Sequence, residues 1–427
     1  MALIYALQAR EVFDGRGWPT IELVLWLNNG FSVITTVPSA ISSGENDSVE
    51  LRDHDLRMGG LGVQKAINNI NQIIAPRLIG KEVLKQREID QLLINLDGTT
   101  NKKKLGANAI LAVSQAVLKA GALSVSLPLY QYIHKKYKLT AELNIPNCII
   151  TALDGGAHGG KNLDFREFLI IPASHLSFDK SMEMAAVIKQ KLEELLISKG
   201  AIHSIGATGG FSPNLYKNSD AFELLIEAIR QTPYNFAQDV FFGLNAAAYD
   251  TYEAAKYRIR DNNEGMSGAE LLAFYKKMRE SYKLIYLEDP FVANDEIYWQ
   301  EIGRDLGKTT TIAACNSISS RASLIQKGIK NSNFNAVAIK SNHLGTISEM
   351  MESIKLIKDN KLDLIISHSS GETNETLIAD LAVAVGANQV KFGPLNRGER
   401  IVKYNRLLEI NRELQQLSQT SSAATNT

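Results

Sequence analysis

Several ionisable residues of this chain stand at the ends of short apolar runs. Glu288 and Asp289 follow LIYL, Lys340 follows AVAI, His368 follows LIIS, and Lys391 lies inside VKF. Asn245 follows VFFGL, and Ala314 with Cys315 ends TIAA. One such residue would be an ordinary solvated strand end. Two lysines, a histidine and a carboxylate brought to one rim make a pocket able to bind anions and move protons.

For these residues to meet, the runs must be strands of one closed sheet. The last five runs recur roughly every 26 residues, the length of one βα unit. With VFFGL, and with CIITAL and FLIIP before it, they predict a β/α barrel of about eight strands. An open doubly wound sheet would carry a glycine fingerprint after its first strand, and none is present. Upstream, Ile4–Phe13, Thr20–Leu27 and Phe31–Val37 are separated by the turns GRGWP and NNG and predict a three-stranded meander. Amphipathic periodicity then predicts helices over Val63–Ile79, Val83–Leu96 and Ala107–Ser124. The fold class is therefore α/β: an N-terminal α+β domain over 1–135, a β/α barrel over 140–416, and a Ser/Thr-rich tail over 417–427 expected to be disordered.

Composition narrows the function. Lys plus Arg and Asp plus Glu are 46 each, so no charge excess points to nucleic acid. Two cysteines, Cys148 and Cys315, have no metal-type spacing and predict a reduced compartment. Early charges (Arg10, Glu11, Asp14) argue against a signal peptide, and no membrane span is expected. The expectation is a cytoplasmic protein.

The motifs VPSAISSGE, VELRD, LGANAI, LDGGAHGG, FREF, GGFSPNL, YLEDPF, NHLGT, SHSSGET and VKFGPLNRGERIVKYN occur in the order and spacing of an enolase, and the chain resembles that family from about residue 5 to about 412. The resemblance implies an α+β domain before a barrel, a homodimer, Mg²⁺, and dehydration of 2-phosphoglycerate to phosphoenolpyruvate. That chemistry removes a proton beside a carboxylate, so it needs a lysine base, cations for the doubly charged intermediate, and an acid for the departing hydroxyl.

Matched motif by motif, the resemblance puts the base on Lys340 and the acid/base glutamate on Glu167. It puts substrate contacts on His158, His368, Ser370 and Lys391, and metal contacts on Glu288 and Ser42. Other positions depart from the family. The general acid is Thr208, beside Ala207. Two metal carboxylates are Asn245 and Ala314, and the phosphate arginine is Ser369. Ala40 and Ile41 replace residues of a mobile loop, Arg166 precedes Glu167, and Trp18 stands in the RGWPT turn. An intersubunit glutamate–arginine pair falls on Glu22 and Glu409, which would repel.

These departures predict weak or absent Mg²⁺ binding. They also predict little or no hydratase activity, since each missing group is worth on the order of 100-fold in rate. The function expected is that of a pseudoenzyme binding a small anion, an active paralogue or another protein partner. The alternative is an active or altered lyase that abstracts a proton beside a carboxylate.

Overall fold

A computed structural model describes residues 1–40, 47–161 and 163–425. Strands β1 (Ile4–Phe13), β2 (Pro19–Leu27) and β3 (Ser32–Thr36) form an antiparallel meander in that order. Alternate residues Ile21, Leu23 and Leu25 are fully buried, as the two-residue period of a strand requires.

The helical part of this domain departs from its periodicity. In place of one helix over Val63–Ile79, the chain winds as α1 (Gln64–Asn68), a π-helical stretch (Asn69–Ile74) and α2 (Ala75–Leu78). The wider π turns rotate the side chains, and Ile73 is 39% exposed. Helices α3 (Gln86–Asp97), α4 (Ala107–Ser124) and α5 (Leu129–Tyr137) follow. Among the described residues α4 is the one helix long and apolar enough to cross a membrane, and 83% of it is buried. It packs on β2 and β3 as the core helix of this domain.

The second unit begins with β4 (Asn147–Asp154), β5 (Glu167–Pro172), α6 (Phe178–Ser198), α7 (Asn218–Arg230) and β6 (Val240–Asn245). A small sheet follows: β7 (Tyr252–Glu253), β8 (Lys256–Ile259) and β9 (Asn262–Met266). Then come α8 (Gly268–Tyr282), β10 (Leu284–Glu288), α9 (Glu296–Leu306), β11 (Thr311–Ala314), α10 (Ala322–Lys330) and β12 (Ala336–Ile339). The chain ends with α11 (Ile347–Asp359), β13 (Asp363–Ser367), α12 (Leu377–Ala384), β14 (Gln389–Gly393) and α13 (Gly398–Thr425).

Strands β4, β5, β6 and β10–β14 close into an eight-stranded barrel. Neighbours are parallel except around β5, which is antiparallel to both β4 and β6. The cause lies in the connection: among the described residues no helix separates β4 from β5, and a parallel crossover usually runs through one. The barrel interior is filled by Ile149, Leu169, Ile171, Ala336, Ala338 and Ile365, all at most 2% exposed.

The segment expected to be disordered from residue 417 continues α13 as far as Thr425. Leu407 and Ile410 anchor the first part of this helix in the core, and propagation from a formed helix costs little.

Candidate active site

The reversal of β5 decides which residues share a rim. Asp154 ends β4, Glu167 opens β5, Asn245 ends β6 and Glu288 ends β10, and the strand register pairs them in that order. All four are at most 5% exposed.

Lys391, from β14, reaches this row. Its Nζ donates to Glu167 Oε2 at 2.9 Å and lies 2.7 Å from Glu288 Oε2. Burying one ammonium with two carboxylates is costly unless the remaining lone pairs are met. Here Thr151 Oγ1 and Asn245 Nδ2 donate to Glu167 at 2.9 and 2.7 Å, and the Tyr286 hydroxyl donates to Glu288. Burial alone would raise Glu167, but Lys391 and His368 outweigh it and hold the carboxyl well below its usual range. Burial also opposes ionisation of Glu288, and Lys391 again prevails. Lys391 is raised in turn, because the two carboxylates outweigh its burial.

His368 follows β13 and backs Glu167, with Nε2 3.4 Å from Glu167 Oε1. Its Nδ1 lies 2.6 Å from Arg400 Nη1. A guanidinium has no acceptor, so Nδ1 must accept and the ring proton sits on Nε2, toward Glu167. Burial and the Arg400 charge lower His368 to about 4, so the ring is neutral. His158 is also buried; burial and the charge of Arg166 push it well below its ordinary value. Its Nε2 is 3.5 Å from Ser370 Oγ.

Lys340, just past β12, is only partly buried. Its ammonium donates to the neutral Asn316 Oδ1 at 2.8 Å and to no carboxylate among the described residues. Asn316 is held by the Tyr249 hydroxyl. Arg166, which precedes Glu167, is answered by Asp250 at 2.9 Å and stacks 4.9 Å from the centre of the Tyr249 ring.

The departing positions are integrated into the wall. Thr208 Oγ1 lies 2.6 Å from Asp154 Oδ1, and Ser369 Oγ lies 2.5 Å from Asn342 Oδ1. Ala314 is buried and offers no donor. Asp289 accepts from the backbone N–H of Cys315 and Asn316 and from Ser317 Oγ, which fixes the loop after β11. Trp18 lies under the Arg16 guanidinium, 4.2 Å from ring centre to carbon. Ala40 is tied to Glu50, while Ile41 and Ser42 lie outside the described residues.

Glu288, Asp289 and Cys315 bring metal-type donor atoms within 4.8 Å of one another. Both Glu288 oxygens are nevertheless engaged by Lys391, at 2.7 and 2.8 Å. Asn245 turns its amide nitrogen to Glu167 and leaves a buried Oδ1 without a partner among the described residues.

Away from the site, Glu22 pairs with Arg10 and Glu409 with Arg406, each at 2.6 Å. Glu22 thus has a cation beside it, whereas Glu409 shares Arg406 with Asp380 and Glu413.

An α+β domain preceding a closed barrel whose rim joins lysines, histidines and carboxylates defines a two-domain β/α-barrel protein. Residues 142–426 match the family profile described as "Enolase, C-terminal TIM barrel domain", and residues 4–133 match "Enolase, N-terminal domain". The chain is 42% identical over 412 residues to a protein named "Enolase" from Ehrlichia canis (strain Jake), covering 96% of each. It is 40% identical to "Enolase 1" of Methylococcus capsulatus (strain ATCC 33009 / NCIMB 11132 / Bath), covering 97% of this chain and 98% of that one. This chain belongs to the enolase family.

Asp154, Tyr286, Asn316 and Arg400 escaped the sequence reading. Asp154 had a signal: it closes the CIITAL run as the other rim residues close theirs. Tyr286 stands two residues before its partner Glu288 on β10, whereas Asn316 and Arg400 act through partners 24 and 32 residues away.

Proposed function

We propose that the chain is an enolase-type lyase that depends little on metal. Lys340 takes the proton beside the carboxylate of a small hydroxy-acid anion, and the β-hydroxyl leaves as water. The observation that carries this is the contrast between the two lysines. Lys391 is locked between Glu167 and Glu288, while Lys340 is partly exposed and held by a neutral amide. A base must reach the substrate, and the lysine not held in a described carboxylate pair is the one available to do so. Lys391 contributes fixed positive charge at the rim.

Mg²⁺ is proposed to bind weakly or not at all. The residues present fit it poorly, because Mg²⁺ demands charged oxygens in near-octahedral order. Glu288 is engaged by Lys391, Asn245 is neutral and Ala314 has no donor. The small anion, a homodimer and a cytoplasmic setting with both cysteines reduced belong to the same reading. Cys148 and Cys315 are free and buried, which supports the last point.

The test is 2-phosphoglycerate in deuterated buffer, with and without Mg²⁺, following exchange of the proton beside the carboxylate and formation of phosphoenolpyruvate. Slow turnover that persists in chelator, with exchange lost in Lys340→Ala, is the expected result. No exchange and no turnover under any condition overturns it. That outcome favours the second reading, a pseudoenzyme binding an anion or a protein partner, which draws its support from Thr208, Ser369 and Ala314.

A further inference from the structure

A lyase of this kind needs a proton for the departing hydroxyl, and position 208 holds a threonine. The nearest carboxyl lies one hydrogen bond behind it. Asp154 Oδ1 faces Thr208 Oγ1 at 2.6 Å, and Asp154 Oδ2 accepts the backbone N–H groups of Thr208, Gly209 and Gly210 at 3.0, 3.2 and 3.1 Å. This wrapping requires glycine. A Cβ on Gly206 would lie 2.6 Å from Asp154 Oδ2, and one on Gly210 would lie 2.9 Å from the Asp154 backbone nitrogen. Asp154 and Thr208 are at most 1% exposed. A carboxylate oxygen of Asp154 lies within 4.8 Å of ligand-type atoms of Glu167 and His158, so Asp154 borders the buried rim cluster.

We propose that Asp154 is the proton store for the leaving hydroxyl, acting through the Thr208 hydroxyl; the inference rests on the lyase reading above. Three donors occupy Oδ2, so a proton on Asp154 resides on Oδ1, directed at Thr208 Oγ1. As the C–O bond breaks, its electron pair stays with the oxygen. Thr208 gives that oxygen its hydroxyl proton, releasing water, and receives the Asp154 proton in exchange. The three N–H groups are already aimed at the carboxylate that results. Burial and the nearby Glu167 charge push Asp154 up to about 7, against the Thr208 hydrogen bonds and Arg400. The adjacent His158 is neutral. Asp154 can therefore both hold and release a proton near neutral pH.

Asp154→Asn mimics the protonated form and keeps the hydrogen-bond pattern, so the fold survives. Infrared difference spectra of the full chain, wild type against D154N, should show a protonated carboxyl that titrates around pH 7. A carboxylate ionised throughout that range overturns the proposal whatever the activity. With 2-phosphoglycerate, D154N and Thr208→Val should retain deuterium exchange but lose dehydration by about 100-fold. Thr208→Ser should restore it, and the fall in dehydration rate as pH rises above about 7 should vanish in D154N. Equal dehydration by wild type and D154N overturns this inference alone. A wild type that neither exchanges nor dehydrates overturns the lyase reading and this inference with it.

Discussion

Lys391 Nζ lies 2.7 Å from Oε2 of Glu288, so the remaining carboxylate of the metal set carries a counter-ion from the chain itself. The ammonium comes from β14 and the carboxylate from β10, and both are 1% exposed. A divalent cation would have to displace a covalently tethered charge.

Calorimetric titration of Mg²⁺ into the full chain should give no saturable heat. The double variant Asn245→Asp, Ala314→Asp adds two hard anionic ligands and should acquire a site. A tight site in the wild type that disappears in Glu288→Ala would refute the expectation.

Lys391→Met leaves Glu167 and Glu288 buried and unanswered. Breaking a buried ion pair from one side costs about 3–5 kcal/mol, and urea unfolding should report a loss of that order. Lys340→Met removes a partly exposed ammonium with a neutral partner and should cost at most about 0.5 kcal/mol. Equal losses would mean that the two lysines are not differently held.

His368 titrates near 4 in the fold against an ordinary 6.5. Between those values the unfolded chain binds a proton that the folded chain does not. The stability from this group is therefore full above pH 6.5 and declines as pH falls toward 4. His368→Gln can still accept from Arg400 and donate to Glu167, and it should flatten this decline by roughly 2–3 kcal/mol. His343, lowered to about 4 by burial, supplies a similar slope that the variant leaves in place. Asp154 acts in the opposite sense, favouring the fold at low pH and losing that effect as pH rises toward 7. Melting temperatures across this range for both proteins provide the check.

Sedimentation equilibrium should find a homodimer whose affinity does not increase with salt. Bare Glu22 and Glu409 facing each other would repel, and screening would then tighten the dimer. Arg10 answers Glu22 within each chain, so Glu409, which shares Arg406 with Asp380 and Glu413, meets no bare anion there. A dimer that tightens with salt would show that the in-chain pairs do not neutralise the contact.

Local pattern was enough for the scaffold. Ile4–Phe13 and Ala107–Ser124 form over the residues their periodicity marks, because alternation and helical spacing report burial along one element. The apolar runs were legible as barrel strands for the same reason, and the residues closing them located most of the rim. Which groups meet was not legible. Lys391 is 224 residues from Glu167 and 103 from Glu288, and Asp154 is 54 from Thr208. The two domains, the barrel and the residues missing from the metal set are written in short motifs and local periods. The reversal of β5, the carboxylates that answer Lys391 and Arg166, and the place of Asp154 behind Thr208 emerge from the fold. Those outcomes depend on barrel closure and on the low-dielectric interior it creates, where a charge takes whichever partner the register brings within reach.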